Sequence, residues 1–164
     1  PISPTLATGR VRFLAGASYQ DDATRARFWR YRTARFNVSA SAGTHVYTRY
    51  ARDGRTVNGT MTSEVSCAGS YGPYAAFAGP IVDATGGYTS RIGQDYIVFV
   101  EDGGSSGPDR YRANYGQFFA GNPNPCDVVE ELTDGDDEWP QSDWWLRWRS
   151  DGDECVSGDR KTHV

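Results

Sequence analysis

The chain has 164 residues, enough for one domain with a real core, and its 22 aromatic residues argue against long disorder. No run of ~18 apolar residues occurs, which excludes a membrane-spanning helix. The net charge of −4 hides a division: residues 127–164 hold 12 acids and 4 bases, residues 1–126 hold 9 acids and 13 bases.

Residues 1–8 are short of charge and suit an extended arm. Arg10 to Ala17 reads as a first strand, with Val11 and Phe13 inward. Asp21 to Arg32 reads as a loop with at most one helical turn. Phe36-Asn37-Val38-Ser39-Ala40 alternates with its apolar residues on one face. In Val46 to Tyr50, Val46, Thr48 and Tyr50 share a face opposite Tyr47 and Arg49. In Met61 to Cys67, the same period places Met61, Val65 and Cys67 together.

Ala75 to Val82 and Tyr96 to Val100 are more continuously apolar, and the second suits a strand covered on both faces. Pro80 places the first of these at an edge or a bulge. Turn chemistry separates the runs at 41–44, Asp53-Gly54, 69–73, 84–87 and 102–104. Asn122-Pro123-Asn124-Pro125-Cys126 reads as a linker-like turn, and Trp144 to Arg149 as a last strand. The pattern predicts an all-β chain: a single antiparallel β-sandwich or barrel of about seven strands with a loop-rich C-terminal extension. The expected division is a core over 1–126 and an acidic, Trp-rich extension over 127–164 packed on it.

Two segments carry a family resemblance. One is Val65-Ser66-Cys67, a Gly-containing turn, then Ala76-Phe77-Ala78-Gly79-Pro80-Ile81. The other is Tyr96 to Gly104 followed by Gly107-Pro108-Asp109-Arg110-Tyr111. Over roughly residues 36–112 the chain resembles small, uncharacterised, secreted β-proteins of high-GC Gram-positive bacteria, the post-COAP-1-type domains. Gly103 stands where that pattern usually has Asn, and the Trp-rich C-terminal segment departs from it. The resemblance implies a β fold and secretion, and no catalytic residue. An extracellular location, with any signal peptide removed or absent from this chain, is the expectation; the chain opens at Pro1, not Met.

Cys67, Cys126 and Cys155 leave one thiol over in any single pairing, with no zinc spacing. The expected bond is Cys126–Cys155, which would pin the acidic tail, with Cys67 as a small buried hydrophobe. The alternatives are Cys67–Cys126, freeing Cys155 for a bond between chains, or three reduced thiols.

His45 and His163 are the only histidines, and no Gly-x-Ser-x-Gly occurs. A lone strand histidine suits the polar face. Glu101 and Asp102 point to opposite faces of a regular strand and cannot act as a carboxylate pair. Asp134, Asp136, Asp137 and Glu138 are hard oxygen ligands, weak candidates for calcium, but the EF-hand Gly is missing. The expectation is no cofactor and no catalytic residue.

Contact residues are the more suggestive set. Trp139, Trp144, Trp145 and Trp148, with Arg147 and Arg149, form an aromatic and basic cluster. Arg25, Arg27, Arg30 and Arg32 form a basic face interleaved with rings. Such interleaving suits nucleic acid, but the chain as a whole is acidic, and arginines paired with carboxylates are the simpler reading. The sequence therefore points to a non-catalytic extracellular structural or self-associating β-protein. The alternative is a carbohydrate- or cell-surface-binding module using exposed Trp and Tyr, and a small secreted hydrolase ranks third.

Overall fold

The computed structural model describes residues 5–15, 30–51, 53–102, 110–115, 124–133 and 153–156. They form nine strands, one α-helix and a short 3-10 turn at Thr89–Arg91: β1 (Thr5–Ala15), β2 (Arg30–Ser39), β3 (Gly43–Tyr50), β4 (Val57–Glu64), β5 (Cys67–Tyr71), β6 (Tyr74–Gly86), β7 (Asp95–Glu101), β8 (Arg110–Tyr115), α1 (Pro125–Thr133) and β9 (Asp153–Val156). All pairings are antiparallel, in the order β1-β2-β3-β4-β6-β7-β8-β9, with β5 also on β6. The all-β antiparallel architecture is present, as a sheet curled into a half-barrel whose edge strands β1 and β9 lie near each other. Thr5 to Thr8 belong to β1, paired with β2, while the first four residues of the expected arm lie outside the described residues.

Short-range chemistry sets the hairpins. Between β3 and β4, the Asp53 carboxylate accepts from the amides of Arg55 and Thr56 at 2.9 Å each, and Gly54 takes φ 71°. This is an Asx turn closed by a residue that tolerates positive φ. The Thr56 hydroxyl, with those two amides, also holds the Asp53 carboxyl below its usual range.

The curl comes from β6, which serves both halves of the sheet. Its first part, from Tyr74 to Pro80, pairs with β5 and β7, and its second part pairs with β4. Pro80 has no amide to donate, and Val82 bulges between the pairs Ser63–Ile81 and Thr62–Asp83. The partner ribbon breaks at the same level, between Glu64 and Cys67. There Ser66 donates to the Ala78 carbonyl at 2.8 Å. A Cβ on Gly79 would run into the Glu64 carbonyl, so the two backbones cross at a point that only glycine fits.

Between the two halves lie Ala34, Phe36, Val38, Tyr47 and Met61 from one side, and Phe77, Tyr96, Val98, Val100 and Tyr111 from the other. A second cluster, Ala76, Ala78, Ile97 and Phe99, faces away from this core and meets Val129 of α1. β7 is therefore buried on both faces, which explains its unbroken apolar run.

Asn122 and Pro123 lie outside the described residues, and from Asn124 onward the linker reading gives way to the helix. Asn124 caps it, accepting from the Cys126 amide at 3.0 Å, with Pro125 as first helical residue and Asp127 in the first turn. Replacing Gly79 by Ala is expected to lower stability by at least about 2 kcal/mol, through the backbone clash. Urea unfolding measures it; a change below about 0.5 kcal/mol would contradict the crossing.

Candidate functional site

Alternation places a polar set on the inner face. On β2 and β3 the inward residues are Ala34, Phe36 and Val38, and His45 and Tyr47. The same parity turns Arg32 and Arg49 inward at one end of the sheet.

His45 sits in the middle of the core and is 1% exposed, not on a polar face as expected from sequence. Its Nε2 is 2.6 Å from the Tyr111 hydroxyl, and its Nδ1 is 3.4 Å from Ser63 Oγ. The ring stacks on Tyr96 at 4.8 Å between centroids and on Tyr111 at 5.9 Å, with Phe77 tilted at 5.8 Å. The hydroxyls thus sit at both ring nitrogens, so a neutral imidazole finds one donor and one acceptor in either tautomer. Burial lowers its pKa from 6.5 to about 3. Serine, histidine and a hydroxyl in a row resemble a catalytic set, but Ser63 is 4% exposed and Tyr111 is 0% exposed. The arrangement ties β3 and β4 to β8 across the core.

Arg32 and Arg49 face each other across β2 and β3, both half-buried. Arg32 donates from Nε to the Tyr47 hydroxyl at 2.8 Å. The Arg49 guanidinium lies 4.7 Å over the Tyr88 ring. The row continues through Gly59 and Gly86, and the Tyr88 ring packs on Gly59, filling the space a side chain would take. Tyr47 and Tyr88 meet edge to face at 5.9 Å.

On the outer face, Thr33, Thr48, Thr60 and Thr85 stand in register across β2, β3, β4 and β6. The Thr60 and Thr85 hydroxyls are 2.8 Å apart, and Thr33 Oγ1 is 3.2 Å from the Tyr50 hydroxyl. Arg35 and Asn37 on the same face are exposed.

Cys67 and Cys126 form a disulfide, with Cα atoms 5.7 Å apart. This corrects the expected Cys126–Cys155 bond. The break between β4 and β5 reverses the parity of the strand, so Val65 faces the inner core and Cys67 faces α1. The helix, seated by Val128 and Val129, carries Cys126 over it. Cys155 lies on β9 opposite Tyr111.

Of the contact residues named from sequence, Arg30 opens β2 and Arg32 joins Arg49. Trp139, Trp144, Trp145, Arg147, Trp148, Arg149, Arg25 and Arg27 lie outside the described residues, as does the expected strand at 144–149. So do Asp134, Asp136, Asp137 and Glu138; among the described residues, no three His, Cys, Asp or Glu come together as a metal site. Sequence reasoning missed His45, Ser63 and Tyr111 as one group, and Arg49 as the neighbour of Arg32. The signal for Arg49 was its shared parity with Tyr47; nothing local linked His45 to Tyr111, 66 residues away.

Compared with protein-family models, with curated proteins and with solved structures, the chain matches none.

Because the folded state keeps His45 neutral while the unfolded chain protonates near pH 6.5, His45 costs no stability above that pH. Stability is expected to fall as the pH drops from 6.5 towards about 3. The slope from this one group is up to about 1.4 kcal/mol per pH unit. His45→Gln should remove about one proton's worth of that slope in urea unfolding between pH 7 and 4, and an unchanged slope would contradict the assignment. Cys126→Ser should cost about 2–4 kcal/mol, read as a lowered Tm. A Tm equal to that of the intact protein would contradict the bond.

Proposed function

We propose that the protein is a non-catalytic, extracellular β-protein that works by contact. It associates with copies of itself through arginines on β2 and β3 and through the acidic, Trp-rich residues after Cys126. The observation that carries this reading is the separation of charge. Arg32 and Arg49 stand side by side on β2 and β3, while residues 127–164 hold 12 acids against 4 bases. Among the described residues, the grouping that resembles a catalytic set, Ser63, His45 and Tyr111, is buried and spent on joining strands, which supports a role without turnover. The Cys67–Cys126 disulfide and the resemblance to secreted domains support an extracellular setting.

Association of this kind weakens with salt, because counterions screen half-exposed charges within about 10 Å at 0.1 M. Size-exclusion chromatography with light scattering should show a mass that rises with concentration at roughly 20 mM salt and returns to the monomer near about 0.5 M. A monomer at every concentration and at both ionic strengths would overturn the reading.

The outer-face threonines favour a second reading, a carbohydrate- or cell-surface-binding module. Hydroxyls in register across four strands, beside Tyr50, offer repeated partners to a sugar chain. A glycan array with the wild type and with Thr48→Val tests it. Binding that the substitution weakens is expected, and no bound glycan, or binding unaffected by the substitution, would exclude that face.

A further inference from the structure

We propose that a second copy of the chain covers the outer face of β2, β3, β4 and the second part of β6, across a two-fold axis that runs along the strands between β3 and β4. The inference rests on the self-association reading and adds a contact to it.

Register lays this face out in rows. Thr33, Thr48, Thr60 and Thr85 form one row, and Arg35, Val46, Thr62 and Asp83 form the next. Asn37, Thr44 and Glu64 form a third. The bulge in β6 stands Val82, which is 41% exposed, beside Asp83 at the end of the second row. Strands lie about 4.8 Å apart, so Arg35 and Asp83 are separated by roughly 14 Å across the sheet. Both are exposed, and among the described residues neither forms an ion pair. The Asp83 carboxylate is already oriented, because it accepts from the Ala84 amide at 2.9 Å.

The second row is therefore basic at one end and acidic at the other, with valine and threonine between. A two-fold axis along the strands exchanges β2 with β6 and β3 with β4, and keeps each row at its level. Arg35 of one copy then meets the partner's Asp83, and its Asp83 meets the partner's Arg35, which gives two charge pairs per dimer. Val46 meets the partner's Thr62, and Thr48 meets the partner's Thr60, methyl groups against methyl groups. Thr44 comes opposite the partner's Glu64, where its hydroxyl can donate to the carboxylate. A two-fold axis across the strands in the same row would set Arg35 on Arg35 and Asp83 on Asp83, so charge selects the first axis. A sugar chain gives no reason for opposite charges at the two ends of one row, and a second copy does. A contact of one patch with itself is isologous and closes at two copies. The face measures roughly 20 Å by 20 Å, about 400 Å² per copy. Stable complexes bury about 800 Å² per partner, so this dimer is weak and the charge pairs decide whether it forms.

Charge exchange tests this, by sedimentation velocity at roughly 20 mM salt, where screening is slight. Arg35→Asp and Asp83→Arg are each expected to weaken dimerisation at least tenfold, because each sets like charges together twice. Their equimolar mixture should recover the dimer, since one variant is acidic at both ends of the row and the other is basic at both. The double variant, with the two charges exchanged, should recover it as well. Far-UV circular dichroism checks that every variant folds. A wild type that associates, with a folded Arg35→Asp that associates equally, overturns this contact and leaves the self-association reading standing. So does a mixture or a double variant no stronger than the single variants. A wild type that stays monomeric overturns the self-association reading and this contact with it.

Discussion

The structure depends on one crossing of two backbones. Where β6 passes the break between β4 and β5, Gly79 lies against the Glu64 carbonyl and Pro80 ends the pairing with β7. A side chain there would push the ribbons apart. Because nothing stands between them, a single strand can hand its pairing from β5 to β4 and turn the sheet back on itself. The fold is thus one sheet acting as two layers, with Phe36 and Met61 facing Phe77 and Val98 across the core.

That crossing also decides which chemistry is inside. Folding the sheet brings β8 over β3, so that Tyr111 meets His45, and a histidine otherwise placed on a strand among threonines becomes neutral and buried. Buried polar groups must be satisfied from within, and Ser63 and Tyr111 supply the two ring nitrogens. The parity change at the break sends Cys67 outward to Cys126, and that bond, with Val129, seats α1 on the outer face of β6 and β7. Covalent and apolar contacts therefore close one face of the sheet, and the β2–β3–β4 outer face stays polar.

Much of this architecture was legible in local patterns. Period-two alternation in β2, β3 and β4 reports one buried face, and the unbroken Tyr96 to Val100 run reports two. The Asp53-Gly54 turn and the proline in β6 were also readable, since each acts through its own backbone. The disulfide, by contrast, hinged on a parity change at Val65–Ser66, which strict alternation through Met61 to Cys67 hides. The helix was legible in Asn124-Pro125, a cap and first-turn pair, but its short length and the further proline at 123 resembled a turn. The His45 and Tyr111 pair spans 66 residues, and no local pattern encodes it. Arg32 and Arg49 look like polar-face residues one by one, and only register shows them as inward neighbours.

Among the described residues the interior is sealed, and His45, Ser63 and Tyr111 hold β3, β4 and β8 together within it. Nitrogen-15 NMR of the His45 ring across pH tests that most directly. The account predicts a neutral ring with one fixed tautomer that does not titrate between pH 8 and about 4.5, as its lowered pKa of about 3 requires. A ring that titrates near its ordinary 6.5 would show a solvated histidine and contradict the sealed core.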